Sequence, residues 1–136
     1  SSARSRSLEL QDTAARMALL DSFSANFNAC YQTMDVADLA LSRSIELSRQ
    51  TVDMRLRSFS AMAIGARYLD QDDGVHLSIT AVKQAKDLIL ECIKDWSTPL
   101  TVQGLALLAW LELMTGNDMA SWNLNGKLKR HTADIR

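Results

Sequence analysis

The sequence predicts an all-α fold, an antiparallel array of helical hairpins with about six helices. Through most of the chain, apolar residues recur at spacings of three and four, the period of an amphipathic helix, and no segment of useful length alternates as a strand would. The 136 residues are 47% hydrophobic and 23% charged, with one proline and five glycines. This composition is typical of a globular protein, and the length suits about one domain.

The first two helices differ in the strength of their patterns. Residues 8–31 carry apolar side chains along one predicted face, at Met17, Leu20, Phe23, Phe27 and Cys30. A shorter helix with a narrow face follows, in which Asp35 can cap the start; its apolar residues are Val36, Leu39, Ala40 and Ile45. Residues 1–7 are interpreted as a disordered basic flank, so we expect a helical domain over residues 8–136.

Two longer helices are predicted next, on either side of the turn "DQDDG" at residues 70–74. The third spans residues 51–70, with an inward stripe at Val52, Leu56, Phe59, Ala63 and Ala66, reinforced by Met62 and Leu69. The fourth spans residues 75–94, with an inward stripe at Val75, Ile79, Val82, Ala85, Ile89 and Ile93. The turn resembles a calcium loop only superficially, because Ala81 stands where such a loop needs a glutamate.

The fifth helix, residues 99–115, is apolar nearly all the way round. Ser97 or Thr98 can cap its start, Pro99 suits the first helical position, and Gly116 can adopt the left-handed conformation that ends a helix. At 100° per residue, Thr101 and Glu112 fall within about 20° of each other and predict one thin line facing water. We therefore expect an inner helix packed on several sides.

Three residues of this helix are candidates for structural or interaction roles. Gly104 costs roughly 1 kcal/mol relative to alanine inside a helix, a penalty usually tolerated where another backbone comes close. Gln103 lies among apolar residues, so we expect its amide to bond a neighbouring backbone group. Replacing Trp110 should cost several kcal/mol through lost volume, whereas replacing Glu112 should cost little.

A sixth helix is predicted over residues 118–130, with Met119, Trp122 and Leu128 inward. Trp122 and Gly126 join the structural candidates, and Lys127, Lys129 and Arg130 are weak phosphate-contact candidates because they form the densest basic cluster. A solvated last turn explains the same charges equally simply. A faint repeat also appears, since a shift of 42 residues lays Tyr68-Leu69 on Trp110-Leu111 and Gly74 on Gly116.

Residues that could carry chemistry are few. Cys30 and Cys92 fall on apolar stripes and are interpreted as core residues, and His76 and His131 lack partners at a metal-binding or catalytic spacing. No phosphate loop or nucleophile elbow is present. We therefore expect no enzyme, no cofactor and no metal. The longest apolar run also falls short of a transmembrane helix, so no membrane association is expected.

The segment "STPLTVQGLALLAWLELMTGNDMASWNLNGKLKR", residues 97–130, resembles the middle homology region of fungal binuclear zinc-cluster transcription factors. The matching positions are Pro99, Thr101-Val102-Gln103, Leu105 to Leu111, Glu112, Gly116-Asn117, Ala120, Trp122, Gly126 and Lys129-Arg130. Upstream, "LLDSFSANFNACYQ" and "FSAMAIGARYL" look like two earlier helices of that region. The family's histidine-containing end and its six-cysteine DNA-binding cluster are not reproduced.

The resemblance implies a nuclear regulatory or interaction module that is effector-sensing, inhibitory or dimer-supporting, and that forms the N-terminal part of a larger domain or a short relative. We expect a homo-oligomer, because a partial domain would leave part of the fifth helix uncovered. Other transcription-machinery or regulatory proteins and a small-molecule effector are further partners that it implies. The rival hypothesis is a solenoid-type helical scaffold that binds a partner protein or peptide, which the 42-residue shift favours.

DNA binding by this chain alone should be weak, salt-sensitive and indifferent to sequence. The net charge is -1, and residues 127–130 offer the main local positive charge. A titration at physiological salt should give equal affinities for a chosen duplex and for its scrambled control. Tight binding to one sequence would contradict this expectation.

Overall fold

The computed structural model describes residues 12–69, 72–95 and 98–116, and these residues are all-helical, without a strand. The helix α1 (Thr13–Phe23) continues through a π-helical turn (Ser24–Asn28) into a last α-helical turn (Ala29–Tyr31). Then follow α2 (Val36–Ser44), a 3-10 turn (Leu47–Arg49), α3 (Val52–Arg67), α4 (Asp72–Asp95) and α5 (Pro99–Met114). The all-α prediction is confirmed for these ranges, and the sixth predicted helix lies outside them.

The helix α3 is the centre of the arrangement. Every residue from Leu56 to Ala66 is buried, and α1, α4 and α5 each pack on α3, while α4 and α5 contact each other far less. Among the described helices, α3 and not the fifth predicted helix is therefore the most deeply buried. The sequence does not reveal that α3 is central, because its serines and arginines suggest a helix with an exposed face. A buried polar residue cannot be told from an exposed one until its partner is known.

Two glycines allow neighbouring backbones to approach α3 closely. A Cβ atom at Gly65 would collide with the carbonyl oxygen of Leu19 in α1, and one at Gly104 would lie 2.8 Å from Leu56 Cγ and 3.2 Å from the Arg57 nitrogen. The close approach expected at Gly104 is confirmed. At Gly65, Ser22 Oγ also donates a hydrogen bond of 2.7 Å to the glycine carbonyl, which fixes α1 on α3.

The helix α4 also meets α3 through small residues. Its buried face is therefore not the face that the sequence predicts. Gly74, Ser78, Ala81 and Ala85 are buried, and Ser78 Oγ donates to the Ala63 carbonyl at 2.8 Å. The prediction that Val75 and Ile79 face inward is wrong, since both are exposed. The physical reason is distance, because helices that approach this closely place small side chains between them and turn larger ones outward.

The start of α4 and the end of α5 bear on two further predictions. Gly74 belongs to α4, so the second half of "DQDDG" is helical and not a turn. Gly116 adopts a φ of 79° just after α5, as expected of a helix-ending glycine. The two glycines therefore occupy different structural positions, and this removes one of the correspondences behind the 42-residue repeat.

The π-helical turn in α1 changes which residues face the core. A π turn places one extra residue in the helix and so shifts the faces of all later residues. Phe27 and Asn28 are buried, whereas Cys30 is exposed, so the core position predicted for Cys30 is wrong. In α2, Asp35 does occupy the N-cap position but makes no capping side-chain hydrogen bond, and only Leu39 of the predicted apolar face is buried.

The change Gly65→Ala should lower the free energy of unfolding by about 2 kcal/mol or more, although alanine is the better helix former. The added methyl group would strike the α1 backbone, which cannot move aside as a side chain can. Gly104→Ala is the matched comparison and should cost less, because its nearest contact is the Leu56 side chain. Urea unfolding measures both; a smaller loss for Gly65→Ala than for Gly104→Ala would contradict the backbone argument.

Candidate functional site

The helix α5 is held at its start by two threonine contacts. Thr98 Oγ1 accepts a hydrogen bond from the Thr101 nitrogen at 3.1 Å, so the predicted cap is Thr98. The same hydroxyl donates to Asp53 Oδ2 at 2.8 Å and joins the starts of α3 and α5. Burial acts to raise the pKa of Asp53, but hydrogen bonds from Thr51, Thr98 and the Met54 nitrogen outweigh it and hold this pKa below its usual value.

The side of α5 that faces water is not the one that the sequence predicts. Thr101 is fully buried and Glu112 is only 6% exposed, so the thin line predicted to face water lies inside. Trp110, Leu113 and Met114 are 38%, 55% and 42% exposed. We define the outward face of α5 as the uncharged stripe formed by Pro99, Val102, Ala106, Trp110, Leu113 and Met114.

The buried polar residues of α5 find partners on α3 and α4. Glu112 Oε1 lies 2.8 Å from Lys86 Nζ, and this ion pair links α4 to α5. Thr101 lies beside Cys92, a buried thiol of α4. Burial raises the pKa of Cys92 to about 11 although a hydrogen bond with Thr101 opposes the rise, so the thiol stays protonated at neutral pH and is a poor nucleophile.

Gln103 bonds a side chain and not the expected backbone group. Its Oε1 accepts a hydrogen bond of 2.7 Å from Arg57 Nη1, and the same nitrogen contacts Asp38 Oδ2 at 3.4 Å. Arg57 is almost completely buried on α3. Burial lowers its pKa, and the Asp38 carboxylate partly offsets this effect. The three side chains therefore tie α2, α3 and α5 together.

Trp110 belongs to an aromatic cluster at the surface and not to the core. Its ring centroid lies 5.9 Å from that of Phe27 and 5.1 Å from that of Tyr31, both in the continuation of α1. Tyr31 is more than half exposed. Burial is the main cause that raises the pKa of the Tyr68 phenol, and the nearby Tyr31 and Cys30 raise it further. The structure thus adds Tyr31, which was predicted only as a helix end, to the exposed apolar surface beside Trp110.

The other site predictions fall outside the described residues. They are the structural candidates Trp122 and Gly126 and the phosphate-contact candidates Lys127, Lys129 and Arg130. Within the described ranges, metal-binding side chains do not come together in groups of three. None of the helices described there is long and apolar enough to cross a bilayer.

Sequence reasoning missed two buried arginines, Arg16 and Arg57. Arg16 stands at the stripe spacing before Leu20, Phe23 and Phe27, at intervals of four, three and four residues. A charged residue at such a position is the available signal that a polar contact is built into the core. Comparison of the chain with protein-family models, curated proteins and solved structures finds no match.

Replacing Glu112 with alanine should lower the free energy of unfolding by about 2 kcal/mol, because the buried partner of Lys86 is lost. This reverses the small effect expected from the sequence. Glu91→Ala is the matched control, since Glu91 is exposed on α4 and should change stability by less than about 0.5 kcal/mol. Urea unfolding of the two variants and of Lys86→Ala, alone and combined with Glu112→Ala, measures the coupling. Equal losses for Glu112→Ala and Glu91→Ala would contradict the ion-pair role.

Proposed function

We propose that this chain is a regulatory or interaction module of a fungal transcription factor, and that it self-associates through the outward face of α5. The support for the first half is the resemblance described above, whose most specific part is residues 99–126. The proposal carries with it a nuclear location, an effector-sensing, inhibitory or dimer-supporting role without catalysis, and a sixth helix over residues 118–130 that extends an antiparallel hairpin array.

The observation that carries the proposal is the chemistry of the outward face of α5. Sixteen residues of helix span about 24 Å, and the side turned away from α3 holds no charged residue. The exposed rings of Trp110 and Tyr31 widen this surface. Exposed apolar side chains grouped on one side of a helix are common at interaction sites.

A second copy of the chain is the occupant that fits this surface best. A twofold interface brings a surface against itself, so the surface must not repel its own copy. The outward face of α5 meets this condition because it is uncharged, and the net charge of the whole chain is only -1. Homodimer interfaces are also more apolar than other interfaces, and aromatic residues and methionine are enriched at their centres.

Leu113→Asp should reduce self-association at least tenfold, because each copy would then bring a carboxylate into the contact. Leu113 is 55% exposed, so the change should leave the fold intact. Leu90→Asp is the matched control, since Leu90 is 73% exposed on α4, away from this face. Sedimentation equilibrium measures the association constants. A monomeric wild-type chain at high concentration would overturn the self-association half of the proposal.

The same two variants test the regulatory half. The chain is joined to an unrelated DNA-binding domain and an activation domain, and a reporter gene is measured in yeast. We expect the wild-type chain and the Leu90→Asp variant to change reporter output by the same amount. The Leu113→Asp variant should change it by a different amount. A reporter output that is the same with the chain present or absent would contradict a regulatory role.

A further inference from the structure

A cavity of about 530 Å³ lies between the start of α1, the 3-10 turn, α3 and α4, well away from the outward face of α5. Its volume is within the range of small-molecule sites, roughly 300–1,000 Å³. The residues that decide its chemistry are Arg16, Glu46, Leu47, Arg55, Phe59 and Leu88. None of them takes part in the contacts of α5 described above.

Hydrogen bonds hold Arg16 in the wall of the cavity, and they use only one of its three guanidinium nitrogens. It is 2% exposed, and its Nη1 donates to the carbonyl oxygens of Ser42 and Ile45, the latter at 2.9 Å. Its Nε and Nη2 have no hydrogen-bond partner among the described residues. These two atoms form the edge of a guanidinium group that binds a carboxylate side-on through two parallel N–H bonds.

Arg55 supplies a second cation, which is also positioned by hydrogen bonds to backbone carbonyls. Its Nε donates to the Leu47 carbonyl at 3.1 Å and its Nη2 donates to the Gln50 carbonyl at 3.0 Å. Backbone carbonyls therefore position both guanidinium groups, and neither group has a carboxylate within ion-pair distance among the described residues. Glu46 interacts electrostatically with Arg16, but it makes no ion pair with either arginine that would block a ligand.

The remaining wall sets the size and character of the ligand. Leu47 and Phe59 are buried and Leu88 is half-buried, so part of the lining is apolar. Among the described residues of the lining, Glu46 is the one carboxylate, so their two arginines and one glutamate give a charge of +1. A singly charged anion with an apolar body matches this lining better than a phosphate, which carries more charge and no apolar surface.

We propose that this cavity binds a small organic carboxylate whose apolar body lies against Leu47, Phe59 and Leu88 and whose carboxylate is held by Arg16 and Arg55. The inference goes beyond the proposed function, because it names a ligand class and requires neither self-association nor transcription. Binding would act on the connection between α2 and α3, since Arg16 holds the end of α2 and Arg55 holds the 3-10 turn.

The test uses 3-phenylpropanoate as the probe and 3-phenylpropanamide as its uncharged counterpart, in isothermal titration calorimetry with the full chain. We expect the acid to bind at least tenfold more tightly than the amide, and inorganic phosphate to bind more weakly than the acid. Absence of binding by 3-phenylpropanoate, equal affinities for acid and amide, or tighter binding of phosphate would each overturn the proposal.

Three variants locate the site without disturbing Arg16, whose loss could unfold the end of α2. Arg55→Gln should weaken binding of 3-phenylpropanoate about tenfold, and Glu46→Gln should tighten it severalfold by removing the opposing charge. Arg49→Gln is the control, since Arg49 is exposed on the same 3-10 turn and does not line the cavity. Equal effects of Arg55→Gln and Arg49→Gln, or weaker binding by Glu46→Gln, would overturn the proposal.

The Leu113→Asp variant separates this proposal from the proposed function. It should bind 3-phenylpropanoate as tightly as the wild-type chain does, because Leu113 lies on α5, outside the cavity lining. Loss of self-association with unchanged ligand binding would leave both proposals standing. Ligand binding by a wild-type chain that is monomeric would support this inference while the self-association half of the proposed function fails.

Discussion

The rest of the structure depends on the close approach of neighbouring backbones to α3. At Gly65 on α3 and Gly104 on α5, the helices α1 and α5 come so near α3 that an added methyl group would strike the neighbouring helix. The helix α4 meets α3 through small side chains. At these points of closest approach, at least one of the two helices must carry a small residue. The larger apolar side chains of α4 and α5 must therefore pack at the margins of the contact or turn outward, as Ile79 and Leu113 do.

This constraint also explains why polar groups lie inside. Where backbones nearly touch, hydroxyl groups reach carbonyl oxygens directly, as Ser22 does to Gly65 and Ser78 to Ala63. Longer polar side chains serve where helices diverge, as in the contact between Arg57 and Gln103. Each of these contacts satisfies a buried group that would otherwise be costly. The core is accordingly specified by hydrogen bonds as well as by apolar volume.

The segment between α2 and α3 is organised by the same kind of contact. The carbonyl oxygen of Ile45 accepts hydrogen bonds from both Arg16 and Gln50, and Gln50 in turn accepts one from Ser58 on α3. Positive charge near the end of a helix also interacts favourably with its dipole. Burial lowers the pKa of Arg16, although Glu46 opposes the change. The arginine thus joins α1 to the end of α2 while lining a cavity.

The sequence by itself determined the helical class, the place of the five helices now described, the start of α5 at Pro99 after a capping residue at Ser97 or Thr98, and the close approach at Gly104. These features follow from local chemistry, because apolar periodicity, a capping residue or a glycine has its effect within one helix or at one contact. Only the tertiary structure decided which helix is central and which side of α5 faces inward. Thr101 and Glu112 look like a solvent-exposed line until Cys92 and Lys86 of α4 are seen beside them. A buried polar residue is recognised by its partner, and the partner is distant in sequence, so no local pattern could reveal it.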